Sequence, residues 1–408
     1  MQDMASGNVA SGNTGMKCKV EGTNRPEFDP VREVFTRNFT DHDELGASVA
    51  VTLGGELVVD LWGGWKDKAR TQPWTRETRA PLWSGTKPIT GICFAMIIDR
   101  GLATYEDRIS KYWPEFGAAG KEAVTIAQLL SHQAGLPGFV APTTLDELLS
   151  TDLAAARLAA QAPFWPPGTA CGYHGVSLGP ITATLFKRIE GRTIRQFVAE
   201  EIALPFNLGV SIGLNPEDFD QAAETVRPDE GLDLRNFYRV DGAVLDGKAG
   251  NPNLSPAQAA ALNPPMDVTY ANLPKWRAAD IPAANGFGNA HSLAEFYALV
   301  LGHPRNGKRL ARPEVIGEAT RVRTEGMDQV KNVHARWAAG FAVNEGLYGP
   351  NPNTFFHSGW GGTFSLGDPA ADLSVAYTPN RMGDLVEKDP RRRGLVTAVF
   401  NCVRASFS

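Results

Sequence analysis

The sequence predicts an α/β (α+β) protein: one antiparallel sheet flanked by helices, fed by strands from both ends of the chain, with a mainly helical domain inserted between them. Three observations predict it. A β-rich hairpin lies near the N-terminus, a second one lies in the last third, and the stretch between them is dominated by Leu/Ala-rich helical spacing. The division this implies is a flexible tail over 1–27, an α/β domain built from 28–115 and 280–408, and a helical domain over 116–279 that carries an irregular excursion.

Taken in order, Val31, Val34, Phe35 and Phe39 recur at helical intervals and predict an opening helix over 31–40. The runs ASVAVTL (47–53) and ELVVDLWGG (56–64) flank Gly54-Gly55, a hairpin signal. A Pro/Arg/Thr-rich connector leads to residues 81–102, whose apolar run from Ile89 to Ile98 predicts a buried helix stopped by Gly101. Further helices are expected over 124–135, 144–162, and from Pro180 through FKRIEG. Residues 226–285 carry Pro, Asp and Asn with little periodicity and read as the irregular excursion, either a wall over the site or a plain loop. Beyond it come a helix over 289–303, a strand-like 337–346, a hairpin over 364–381 and a closing helix over 393–405.

The 408 residues are 43% hydrophobic and 21% charged, an ordinary globular balance. A net charge of -5 offers no basic footprint for nucleic acid. Four scattered cysteines (18, 93, 171, 402) form no C-x-x-C pair, so neither a disulfide framework nor a zinc ribbon is expected. The Ser/Gly/Asn-rich start lacks the apolar segment of a secretory signal, and no stretch reads as a bilayer span. The expectation is a cytoplasmic enzyme acting on a small molecule, with no membrane or nucleic-acid partner; a homo-oligomer is left open.

Three groups of residues can carry chemistry. In Ser84-Gly85-Thr86-Lys87 the hydroxyl and the amine, three positions apart, share one helix face. Ser84 falls near the helix N-terminus, where free N–H groups favour negative charge, and Lys87 is followed by Ile89, Ile92 and Phe94, whose burial would depress an amine pKa toward that of a useful base. The plainer alternative is a capping serine followed by a surface lysine. Tyr173 follows a P-P-G-T turn, and can relay a proton if a nearby cation stabilises its phenolate, or else simply pack in the core. His357-Ser358-Gly359-Trp360-Gly361-Gly362-Thr363 reads as a glycine-rich edge strand that a substrate can approach closely, or as a tight bend.

In this order the three groups resemble the serine β-lactamase and penicillin-recognising superfamily, with its S-x-x-K, tyrosine and K-T-G elements. They look most like its class C branch and the family VIII carboxylesterases related to it. Supporting phrases are LLSHQAGLPG (129–138) and DRGLATYEDRISKYWPEF (99–116), and the resemblance runs from about residue 28 onward. It implies a β-lactamase/transpeptidase-like fold, with Ser84 as nucleophile, Lys87 as its base and Tyr173 as the tyrosine of the Y-x-N element. It also implies an oxyanion hole from the N–H groups of Ser84 and Trp360, and substrate contacts from Trp83, His357, Ser358, Gly359 and Gly361, with no cofactor or metal. Two departures tilt the expectation from β-lactamase to esterase. The third position of Y-x-N is Gly175, and the K-T-G lysine is His357. Cleavage of small to medium carboxylic esters through an acyl-enzyme is therefore expected; the alternatives are a β-lactamase or DD-peptidase-like amide hydrolase, or an acyltransferase.

Two motifs are set aside. Gly175-Val176-Ser177-Leu178-Gly179 matches G-x-S-x-G, but PPGTACGYH before it is no buried strand. Gly302 to Lys308 imitates the start of a P-loop but continues with Arg309. His132 and His291 are expected in the core or behind the site rather than on a metal. Trp83, Phe164, Trp165 and Trp360 are candidates to line an apolar pocket.

Overall fold

Strand β2 (Gly46–Leu53) is buried along nearly its whole length, which a strand achieves only when helices cover both faces of its sheet. The computed structural model describes residues 18–228, 254–383 and 389–406. Residues 1–17 of the expected tail and 229–253 of the expected excursion lie outside the described residues. From edge to edge the main antiparallel sheet runs β1 (Val20–Asn24), β3 (Glu56–Gly64), β2, β12 (Leu373–Pro379), β11 (Phe364–Asp368), β10 (Phe355–Ser358), β9 (Ala342–Val343), β8 (His334–Trp337) and β7 (Thr324–Met327). Pairing of Val51 with Val375 joins the two ends of the chain at the centre of the sheet.

Alternation along β2 sorts its side chains between two cores. Val49 and Val51 pack with Phe28, Val31, Phe35, Leu395 and Val399 beneath helix α1 (Asp29–Asp41) and the closing helix Pro390–Ser406. Ala50 faces the opposite core, which holds Ile92, Leu293 and Phe296 from helix α2 (Lys87–Asp99) and the helix Ala290–Val300. Each fully buried Val, Leu or Phe contributes roughly 1.5–3 kcal/mol. Helix α2 is apolar all round because it runs through the middle of the molecule, and Gly91 lets it touch the 339–340 backbone, where a Cβ would lie 2.4 Å from the Ala339 carbonyl oxygen.

A small second sheet, β4 (Ala80–Trp83), β6 (Gly286–Gly288) and β5 (Ser211–Ile212), delivers the chain into α2. Several expectations are corrected. Val20–Asn24, read as tail, is the edge strand β1 paired along β3. The helix expected over 124–135 is only Ile126–Leu130, capped by Thr125 and Gln128, and His132 with φ +63° turns the chain out of it. The helix over 144–162 divides at Ser150 into Leu145–Leu149 and Thr151–Ala160. Within the described part of the excursion the chain is partly helical, at Pro256–Leu262 and Pro274–Ala278. The glycine-rich segment is not on the sheet's outer edge. It continues β10, but β9 pairs only with Phe355 and Phe356, so His357 and Ser358 have β11 as their one partner strand.

Candidate active site

Between β4 and α2 the chain makes a sharp turn. Trp83 sits at φ +48°, a region that a bulky residue enters only under strain, and such strain concentrates at functional sites. One turn of 3-10 helix, Ser84–Thr86, follows before α2 begins at Lys87. Thr86 fixes this turn, its Oγ1 donating to the Trp83 carbonyl at 2.6 Å and accepting from Gly286 N–H at 2.8 Å. The turn leaves the Ser84 hydroxyl at the surface of a cleft and drives the Lys87 amine into the interior.

Ser84 and Lys87 meet as the spacing predicts, with Nζ 3.2 Å from Oγ. Lys87 Nζ also donates to the carbonyls of Gly175 at 2.9 Å and Ala283 at 3.0 Å. Lys87 is fully buried, and desolvation holds its pKa well below the usual lysine value. Nζ thus has three oxygen neighbours, the two carbonyls and Ser84 Oγ.

Tyr173 arrives from the far side of the cleft, its phenol donating to Ser84 Oγ at 2.5 Å. Burial raises its pKa, with the Asp328 carboxylate adding to the effect and the Ser84 contact opposing it. Burial thus favours the protonated phenol, and Tyr173 Oη and Lys87 Nζ both lie within hydrogen-bond reach of Ser84 Oγ.

Asp328, which the sequence reading did not single out, organises this corner. Fully buried, its Oδ1 accepts from the backbone N–H groups of Tyr173, Val330 and Lys331 at 3.0, 2.9 and 2.8 Å, and its Oδ2 from Trp337 Nε1 at 3.1 Å. The Tyr173 ring stacks on Trp337, with centroids 5.4 Å apart and an angle of 20°. Nothing local in MDQVKN marks Asp328; its partners lie up to 155 positions away.

His357 ends β10 at the cleft, donating from Nδ1 to the Ser358 carbonyl at 2.8 Å. Burial pushes its pKa down to about 3, so it places a neutral ring where the K-T-G elements of the resembling family carry a cation. His132 and His174 lie buried behind Tyr173. His132 Nδ1 accepts from the His174 N–H at 3.1 Å, and burial holds the His174 pKa down at about 4. Beyond Ser358 the chain turns tightly, Gly359 N–H donating to the Thr363 carbonyl at 2.7 Å. A Cβ on Gly359 would lie 2.2 Å from the Leu82 carbonyl oxygen, so glycine is what brings this turn against β4, beside Ser84. Gly361 and Gly362 adopt φ +90° and +115°.

The cleft has an empty volume of about 890 Å³, its open mouth included. Trp83, Val176, Ala260, Met266 and Trp360 give it largely apolar walls. Trp83 and Trp360 meet edge to face at 5.1 Å. Of the expected lining residues, Trp83, His357, Ser358, Gly359 and Trp360 face the cleft; Gly361 lies behind it, against Met382. Phe164 and Trp165 are not among its lining residues; they pack behind it, in the cluster that holds Cys171, Val330, Tyr173 and Trp337. Ser177 is fully buried and donates to the Leu136 carbonyl at 2.7 Å, a structural bond. His291 sits away from the cleft beside Asp60 and Arg76. No group of three or more His, Cys, Asp or Glu suited to a metal ion occurs among the described residues.

An S-x-x-K turn, a facing tyrosine and a glycine turn at one end of an antiparallel sheet together define a penicillin-recognising type of serine site. The chain matches the Beta-lactamase family model over residues 31–398 and belongs to that family. It is 30% identical to the esterase/beta-lactamase LipL of Mycobacterium tuberculosis over 377 residues, which span 89% of this chain and 83% of that protein. Two crystal structures superpose with a TM-score of 0.85 each, covering 94% of this chain and 100% of the other. One is a family VIII carboxylesterase at 38% identity and the other a penicillin-binding protein homolog from Caulobacter crescentus at 37%.

Proposed function

We propose that the protein is a serine carboxylesterase that cleaves small to medium carboxylic esters through an acyl-enzyme on Ser84. The observation that carries this is the placement of Ser84 Oγ between a protonated Tyr173 and a buried, depressed Lys87 at the mouth of an apolar cleft. Lys87 takes the Ser84 proton as Oγ attacks the ester carbonyl. The N–H groups of Ser84 and Trp360 bind the oxyanion. As the intermediate collapses, the Tyr173 hydroxyl protonates the leaving alkoxide and recovers its proton directly from the Lys87 ammonium, whose Nζ lies 4.8 Å from the Tyr173 ring centre. Water then attacks the acyl-enzyme by the reverse route, giving the acid and restoring Ser84. Trp83 and Trp360 receive the apolar part of the substrate, and Ser358 and Gly359 with the neutral His357 form the rim along which the ester lies.

The names of the relatives favour the same reading, as does the neutral ring at His357, which offers no cation to a substrate carboxylate. The test is hydrolysis of p-nitrophenyl butyrate by wild type, Ser84→Ala and Ser177→Ala. Activity lost with Ser84→Ala alone is the expected result. Activity that survives Ser84→Ala refutes the assignment, and a wild type that turns over a chromogenic cephalosporin faster than the ester moves the substrate class to amides.

A further inference from the structure

Behind the glycine turn, on the side away from the cleft, lies a set of buried charges. The side chains of Glu44, Asp389 and Arg391 are 0%, 2% and 4% exposed. Arg391 Nη2 and Nε donate to Asp389 at 2.7 and 3.1 Å, while Nη1 reaches both Glu44 oxygens at 3.1 Å and the Arg381 carbonyl at 2.8 Å. The Tyr377 phenol donates to the other side of Glu44. Replacing a buried ion cluster by apolar groups is often neutral or stabilising. Stability alone is therefore a weak reason for these groups to be here.

What they touch gives a better one. Arg391 Nη2 also reaches the Gly361 carbonyl at 3.4 Å, which accepts from Gly383 N–H at 2.8 Å. A Cβ on Gly362 would fall 2.7 Å from Asp389 Oδ2 and 3.1 Å from Arg391 Nη2. The turn Gly359–Gly362 is thus held from both sides, by the Leu82 carbonyl in front and by the Arg391–Asp389 pair behind. Trp360 lies between the two supports.

We propose that Arg391 is a positioning residue for the second oxyanion donor: its planar fork, locked by Asp389 on the side facing the turn, fixes the glycine turn and with it the Trp360 N–H. This rests on the reading above of Trp360 N–H as that donor. A guanidinium suits the task because it can bond two carboxylates and two carbonyls in one plane, which a lysine ammonium cannot. Glu44 touches only the far side of the fork.

The experiment compares wild type, Arg391→Lys, Glu44→Gln and Ser84→Ala. It reads kcat and KM on p-nitrophenyl butyrate, inhibition by n-butylboronic acid (which forms a tetrahedral adduct on a serine hydroxyl), and thermal unfolding. Removing an oxyanion donor costs about 10²–10³ in kcat; displacing one is expected to cost about 10- to 100-fold in Arg391→Lys. KM should stay within about threefold, with the boronate constant rising by the same factor as kcat/KM falls. Glu44→Gln should lower the unfolding temperature while leaving kcat and boronate binding within about threefold of wild type. The proposal is overturned if Arg391→Lys loses thermal stability alone, or if Glu44→Gln lowers kcat as much as Arg391→Lys does. Should Arg391→Lys fail to fold, Asp389→Asn takes its place with the same expectations. A Ser84→Ala protein that still hydrolyses ester and binds boronate would instead overturn the underlying esterase reading.

Discussion

The Tyr173 hydroxyl lies 2.5 Å from Ser84 Oγ, closer than the Lys87 amine at 3.2 Å. In the proposed mechanism Tyr173 gives a proton and Lys87 takes one, so the two neighbours of Ser84 have opposite jobs. Tyr173→Phe removes the donor and leaves the base. The expected result is a loss of roughly 10²–10⁴ in kcat with KM little changed. Unfolding should move by only about 1 kcal/mol, the net worth of one hydrogen bond. Steady-state kinetics beside a denaturant titration checks both; retention of kcat would remove Tyr173 from proton transfer.

Lys87 makes a prediction about pH and stability. Its folded pKa is depressed, so between that value and the ordinary lysine pKa the unfolded chain binds one more proton than the folded one. This burial therefore costs stability at neutral pH, and the cost shrinks as pH rises toward about 10.4. Lys87→Met removes the titrating group. The unfolding temperature of the variant relative to wild type should be highest near neutrality and fall steadily as pH increases. A constant difference across pH 7–10 would show that Lys87 is not neutral in the folded protein.

Asp328→Ala strands the N–H groups of Tyr173, Val330 and Lys331 and the Trp337 indole. Each buried donor left without a partner costs about 1–3 kcal/mol, so a total loss near 3 kcal/mol or more is expected. Because one of these donors belongs to Tyr173, kcat should fall even in the folded fraction. Activity per folded molecule, normalised by near-UV circular dichroism, separates the two effects, and unchanged specific activity would confine Asp328 to stability.

Gly359→Ala is expected to act through distance alone. A methyl group there would overlap the Leu82 carbonyl oxygen, so β10 must move away from β4. A shift of about 1 Å at a reacting group costs on the order of 10²-fold in rate. The same substitution at Gly317, which has open space around it, should leave kinetics at the wild-type level. Equal kinetics for the two variants would mean that the spacing between β10 and β4 is not critical.

The Ser84–Lys87 pair proposed as nucleophile and base, and the glycine turn, were legible because each is a short run whose residue types and spacing act locally. The sheet was legible from its hairpins for the same reason. What escaped the sequence is non-local. Asp328 matters to the site through the distant Tyr173 N–H, and the Asp389–Arg391 pair meets Glu44 only across 347 positions. Strand β1 is short and half polar, and pairing with β3 rather than its own pattern makes it a strand. Phe164 and Trp165 look like pocket residues by composition, yet the fold packs them behind the cleft. The raised pKa of Tyr173 comes from burial and the Asp328 carboxylate, which no motif encodes.

The two carbonyls that hold the Lys87 amine belong to Gly175 and Ala283, in two segments far apart in sequence that also pack together where Gly179 meets Ile281 and Ala283. When Lys87 takes the Ser84 proton it gains a full charge, and charge-assisted hydrogen bonds are roughly twice as strong as neutral ones. The same proton that starts the chemistry thus works as a latch, tightening both segments around the Lys87 amine and slackening when it moves on. Amide hydrogen exchange around 175–177 and 283–286 should slow in the boronate adduct relative to free enzyme; equal rates would dismiss the latch.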